Sequence, residues 1–204
     1  MKKLPLLFIA FFNLVFVPLY SELKVLAFSG SSREGSYNQE LAEFAAHLAK
    51  SQGAIVTVVN LGDFGMPLYH ADEEARRGMP ESVKSFRQLL LNHDRIIIAS
   101  PEYNGSITAL LKNALDWASR SEDGKPSNAA FKDKKFAIMS ASPGKGGGCR
   151  GLEHLQQILA NLGAKVITCK VSVPQASSAF DKRGKLVSPQ MTQLLQQEIN
   201  LLLQ

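Results

Sequence analysis

Residues 25–38, Val-Leu-Ala-Phe-Ser-Gly-Ser-Ser-Arg-Glu-Gly-Ser-Tyr-Asn, set hydroxyl, amide and guanidinium donors in a short loop directly after an apolar run. Ser31, Ser36 and Asn38 are neutral donors, Arg33 is a charged fork and Tyr37 adjoins them. Gly30 and Gly35 stand where the backbone must turn tightly. Such a loop can hold a phosphate on the N-terminus of the next helix, where unpaired N–H groups and the helix dipole favour an anion. Gly30 and Gly35 have the spacing of a P-loop, but Ser36 and Tyr37 follow, so the lysine that reaches the outer phosphates is missing. Ser32 occupies the place of the second glycine in the dinucleotide fingerprint, which removes that reading too. What remains suits one terminal phosphate, as in a mononucleotide; the same residues would also serve a Ser/Gly-rich turn with an ordinary N-cap.

Two other segments have similar potential. In Ser100-Pro101-Glu102-Tyr103-Asn104-Gly105-Ser106, Pro101 fixes the backbone and Tyr103 offers an aromatic face with a polar tip. Asn104 can bond either polar edge of a planar ring, and Gly105 lets main chain approach a ligand. In Ser142-Pro143-Gly144-Lys145-Gly146-Gly147-Gly148-Cys149-Arg150, the glycines suit N–H groups facing a ligand, or a turn that only needs positive φ.

Positioning these loops requires a scaffold, and the periodicity supplies one. Apolar β-rich runs at 23–28, 55–60, 95–100, 136–140 and 165–171 alternate with segments whose apolar residues recur three and four apart. Leu41, Phe44, Ala45 and Leu48 open that series, and Leu194, Leu195, Ile199 and Leu202 close it. Five strands alternating with five helices imply a parallel sheet covered on both faces. Right-handed crossovers then favour a flavodoxin-like three-layer sandwich of order 2-1-3-4-5, with ligands bound past the carboxyl ends of strands 1 and 3. The first two candidate loops follow those strands.

A chain of 204 residues, 45% hydrophobic and 20% charged, is long enough for one globular domain with a full core. The formal charge is +5, two of which are Lys2 and Lys3, and the remainder is too scattered to argue for nucleic acid. Residues 1–21 differ in kind: Lys2-Lys3, an apolar run over 4–20, then Ser21. They read as an export signal or a membrane anchor, the only expected membrane contact, ahead of a domain over 22–204; Pro5, Asn13 and Pro18 interrupt the run. An upstream extension from a misplaced start, with a cytoplasmic protein, is the competing reading. Cys149 and Cys169 match neither a disulfide framework nor a zinc pattern; Cys169 is expected in the core and Cys149 at a helix start. His47, His70, His93 and His154 lack ligand spacing, so no metal is expected. The apolar segment 61–69 is expected to line an entrance, meet a second subunit or pack as a plain loop.

Together the three loops resemble the NADPH-dependent FMN reductase family of flavodoxin-like enzymes, which includes bacterial quinone, azo-dye and chromate reductases. The resemblance runs from Leu23 to about Leu186. Its Gly-Ser-x-Arg-x-x-Ser-x-Asn loop is Gly30, Ser31, Arg33, Ser36 and Asn38, implying contact with the phosphate and ribityl chain of FMN. Its Pro-Glu-Tyr-Asn-Gly stretch is Pro101, Glu102, Tyr103, Asn104 and Gly105, implying contact with the ribityl chain and ring. Ser142, Pro143 and Gly144, followed by Gly147, Gly148 and Arg150, resemble the loop beside the flavin pyrimidine, where N–H groups of residues 146–148 would face flavin N1. Lys145-Gly146 and the leader depart from the pattern. The resemblance implies bound FMN, NADPH or NADH as co-substrate, a small oxidised acceptor, a homodimer or homotetramer, and no catalytic side chain, since flavin N5 carries the chemistry. A flavin-binding electron carrier or redox sensor is the alternative; Arg33 and the lack of an acidic surface weigh against it.

Overall fold

The structure, a computed structural model, describes residues 23–204; the leader expected over 1–21 lies outside them. In chain order the elements are β1 (Lys24–Ser29), α1 (Tyr37–Ser51), β2 (Ile55–Asn60), α2 (Ala71–Arg77), α3 (Glu81–Asn92), β3 (Arg95–Ala99) and α4 (Ala109–Ala118). There follow β4 (Lys135–Ala141), α5 (Cys149–Asn161), β5 (Lys165–Val166), β6 (Val171–Val173) and α6 (Pro189–Leu203). All pairings are parallel, in the order β2-β1-β3-β4-β5, with β6 also on β4. The flavodoxin-like order is as the sequence implies.

Alternation along the strands divides the core. Val25 and Ala27 of β1 face one side, where Leu41 and Ala45 of α1 and Leu195, Ile199 and Leu202 of α6 cover them. Leu26 and Phe28 face the other, with Phe86 and Leu90 of α3, Leu111 and Leu115 of α4, and Leu152 and Leu155 of α5. Caps set where helices begin. Thr108 accepts from the Leu111 N–H at 3.1 Å ahead of α4, and Ser188 from the Met191 N–H at 3.3 Å ahead of α6, which starts on Pro189.

Two features depart from the sequence reading. The run 165–171 is two short strands, because the chain leaves β4 after Ile167 and rejoins it at Val171. Cys169 falls in that break, half-buried and not in the core; burial and the nearby Glu198 push its thiol up. Helix α2 has no apolar stripe and was not expected. Asp72, Glu73 and Glu74 occupy its first turn and Arg76 and Arg77 its last, which suits the helix dipole. Buried Glu74 ties it to Arg120, whose Nε donates at 2.9 Å, and to the Tyr69 hydroxyl at 3.1 Å. Among the described residues no helix is long and apolar enough to cross a membrane.

Candidate active site

At the carboxyl ends of β1, β3 and β4 the three loops meet around a cleft of about 410 Å³. Ser31, Arg33, Ser36, Tyr37, Asn38, Pro101, Glu102, Tyr103, Ser142 and Pro143 line it, together with Ala141. The remaining sequence candidates stand behind or beside it. Gly30 lies beneath, where a Cβ would meet Leu111 side-chain atoms at 3.1 Å. Asn104 and Gly105 form the tip of a tight turn, both with positive φ, closed by paired Tyr103 and Ser106 main chain. Asn-Gly is the pair such a turn requires, so their first role is to shape the backbone that carries Tyr103. Tyr103 itself is 58% exposed.

The first loop has free donors. The Ser31 N–H is held by the Ser29 hydroxyl at 3.1 Å, and Ser31 Oγ accepts from the Arg33 N–H at 3.3 Å, leaving its own O–H to donate. Ser36 precedes α1 in the N-cap position yet makes no side-chain capping bond. The Arg33 guanidinium reaches the Glu34 carbonyl with one nitrogen and lies 5.7 Å from the centre of the Tyr37 ring.

Other candidates brace the loops against one another. Asn38, only 4% exposed, donates to the Ala141 carbonyl at 2.8 Å and accepts from the Ala141 N–H at 2.9 Å, tying α1 to the end of β4. Glu102 accepts from Arg150 Nε at 2.8 Å and from the Gly151 N–H at 3.2 Å, tying the second loop to the start of α5. Burial pushes the Glu102 carboxyl up, but the bonds from Arg150 and Gly151 outweigh it and hold it below the usual carboxylate range. The Thr108 hydroxyl donates to the Gly30 carbonyl at 2.6 Å, closing the first loop onto the second.

In the third loop, Gly144 stays exposed while Gly147 and Gly148 are buried, with φ of 60° and 90°. A Cβ on Gly147 would lie 2.9 Å from the carbonyl carbons of Ser172 and Val173, and one on Gly148 would collide with the Ser140 hydroxyl. These two glycines are therefore required by positive φ and by close approach to β6 and β4. Ser140 fixes the turn by donating to the Gly147 carbonyl at 2.7 Å. Cys149 opens α5, exposed, and His154 bonds the Ser106 hydroxyl at 3.1 Å.

The profile of the family described as NADPH-dependent FMN reductase matches residues 23–178, most of the chain and all three loops. This chain belongs to that family. An NAD(P)H-dependent FMN reductase from Pseudomonas aeruginosa is 37% identical over 182 residues, covering 89% of this chain and 94% of the relative. An NADPH:quinone oxidoreductase from Arabidopsis thaliana is 38% identical, with 86% and 87% covered. Among solved structures, the flavoenzyme NAD(P)H:acceptor oxidoreductase FerB from Paracoccus denitrificans superposes with a TM-score of 0.73 at 26% identity, over 87% of this chain and 93% of that one. Membership bears out the oxidoreductase class, FMN as cofactor and NAD(P)H as co-substrate, and the carrier alternative gives way to an enzyme.

For a phosphate and a flat ring, the cleft carries groups of the fitting chemistry: a cation and hydroxyls, and an aromatic face. Arg33 and the Ser31 and Ser36 hydroxyls stand on the β1 side of the cleft, Tyr103 and Pro143 on the β3 and β4 side. Sequence reasoning missed Ser29, Thr108 and Ser140. Thr108 had a legible signal, a threonine three residues ahead of an apolar helical stripe. The Ala141 main chain that anchors Asn38 had none, because any residue carries those two groups.

Proposed function

We propose that the cleft holds FMN and that the enzyme transfers reducing equivalents from NAD(P)H to a quinone. The observation that carries this reading is the meeting of ten of the sequence candidates on one cleft, with Arg33, Ser31 and Ser36 on the β1 side and Tyr103 facing them from the β3 side. When bound, FMN supplies the acceptance of two electrons from the nicotinamide and their return to the acceptor. Arg33, with the Ser31 and Ser36 hydroxyls and the start of α1, binds the phosphate. Pro101, Tyr103 and Pro143 shape the wall for the ring, and exposed Tyr103 stands where a second substrate enters. Asn38, Glu102 and Thr108 hold the loops in register. The quinone assignment, over azo compounds, chromate or free flavin, is supported by relatives named quinone reductases, including one from Escherichia coli at 34% identity over 146 residues.

The test is an anaerobic NADPH titration of the FMN-loaded protein, followed by absorbance. The flavin band should bleach, and recover faster with a quinone than with an azo dye, chromate or free FMN. Bound flavin that NADPH leaves oxidised would refute the enzyme, and failure to bind FMN would refute the site. Residues 1–21 are proposed to act as an export signal or membrane anchor, and the protein to form a dimer or tetramer, which light scattering reads directly.

A further inference from the structure

In a parallel sheet the strands start at the edge opposite the ligand site, and here four of the six starts are basic; β2 opens on Ile55, and β6 joins β4 part-way along at Val171. β1 opens on Lys24, β3 on Arg95, β4 on Lys135 and β5 on Lys165. Arg95, Lys135 and Lys165 are direct neighbours in register. Lys132, in the turn entering β4, and Lys50, in the last turn of α1, flank the row. Arg95 and one further group at this edge, Lys134, already have a structural task. Lys134 Nζ donates to the carbonyls of Leu91 and His93 at 2.9 and 2.6 Å, closing α3, and Arg95 Nε donates to the Leu202 carbonyl at 2.9 Å, closing α6. Burial lowers the Lys134 ammonium, as fits that role.

Lys24, Lys50, Lys132, Lys135 and Lys165 remain beyond that need. Among the described residues Asp94 and Asp133 are the acidic side chains in the same strand-entry turns, and in sequence Glu22 precedes Leu23. Asp94 accepts from the Lys24 main-chain N–H at 3.0 Å, and Asp133 pairs with Lys165 at 3.0 Å. A surplus of cations is thus gathered on one edge of a domain whose formal charge is otherwise small. The apolar run 4–20, with Lys2 and Lys3 before it, joins the domain at Leu23, on this same edge.

We propose that this edge is a docking face for an anionic phospholipid bilayer, acting beside the N-terminal apolar segment. A basic patch alone gives weak, reversible attachment to an anionic surface, and an apolar segment on the same edge adds to it. Charge complementarity and the point of attachment select a lipid surface over a soluble acidic partner. The domain would then stand with its cleft away from the bilayer, about 20 Å up, the length of a six-residue strand. The inference concerns attachment alone and does not depend on the acceptor.

The experiment is co-sedimentation of the full chain with phosphatidylcholine vesicles containing or lacking phosphatidylglycerol. The triple variant Lys24→Gln, Lys132→Gln, Lys135→Gln is compared with Lys112→Gln, Lys125→Gln, Lys182→Gln, which removes the same charge elsewhere. At roughly fivefold per cation, the first triple should bind phosphatidylglycerol vesicles on the order of a hundredfold more weakly. The second should bind like the parent, and all three proteins should bind pure phosphatidylcholine alike. FMN affinity, read at the far edge of the sheet, verifies that both triples are folded. Equal losses in the two triples, parental binding by the first, or parental binding indifferent to phosphatidylglycerol and to salt would each overturn the proposal.

Discussion

Asn38→Ala separates a brace from a ligand. In the structure the carboxamide is buried and both its polar ends are engaged by one residue, Ala141, at 2.8 and 2.9 Å. Truncation leaves the Ala141 N–H and carbonyl without their partner at the end of a buried strand, itself 4% exposed. Each orphaned group is worth about 1–3 kcal/mol, and partial access of water to the cleft favours the lower half, so the pair amounts to about 2–4 kcal/mol. For a domain of this size that is a fall in Tm of roughly 5–15 °C. The assay is urea unfolding followed by circular dichroism, run with and without saturating FMN. A brace predicts a large loss in both conditions, with the stabilising increment from FMN reduced only in so far as the first loop shifts. A direct ligand predicts the opposite: an unchanged midpoint without FMN and a smaller increment with it, because linkage scales with affinity. A ligand-free midpoint within about 0.5 kcal/mol of the parent would refute the reasoning.

Arg33→Ala should weaken FMN binding about tenfold to a hundredfold in a fluorescence titration, the range of a charge-assisted hydrogen bond; parental affinity would place the phosphate elsewhere. Gly147→Ala puts a methyl 2.9 Å from two main-chain carbons at φ of 60°, and thermal unfolding should show a loss of about 2 kcal/mol or more; a parental melt would mean the loop yields freely. Glu198 is fully buried and neither carboxyl oxygen has a hydrogen-bond partner among the described residues. Burial raises its pKa well above the usual value, against a smaller opposite pull from the Val171 and Ile138 main chain. Above the unfolded pKa the native state holds a proton that the unfolded chain has released, so stability falls as pH rises from there towards the folded value. Glu198→Gln should remove that slope, matching the parent under acid conditions and exceeding it at neutral pH; a parallel pair of stability curves would show that Glu198 does not hold this proton.

The sheet order was legible because β1, β3 and β4 are buried on both faces and so read as unbroken apolar runs, which few other environments permit. Helix α2 was not, because its stabilisation comes from Glu74 meeting Arg120, forty-six residues away, and no local apolar stripe betrays it. The break between β5 and β6 was equally hidden: residues 165–171 have uniform β character, and nothing local marks where the chain leaves β4. In the site, residue types announced the loops, while the division of labour within them depended on contacts. Asn38 and Ser36 look alike as donors in sequence; one is fully engaged by main chain and the other makes no capping bond. Gly147 and Gly148 read equally well as ligand-facing or as turn residues until their distances to β6 and β4 decided that packing requires them.

The bonds Asn38 to Ala141, Glu102 to Arg150 and Gly151, and Thr108 to Gly30 all run within the polypeptide, and none uses a group that a cofactor would have to provide. The entropy of ordering the three loops is therefore lost at the folding step, not at loading. Cofactor exchange on such a frame is a matter of association and release on an already formed surface. It should follow a single exponential phase, without a slow step that waits for the protein to rearrange.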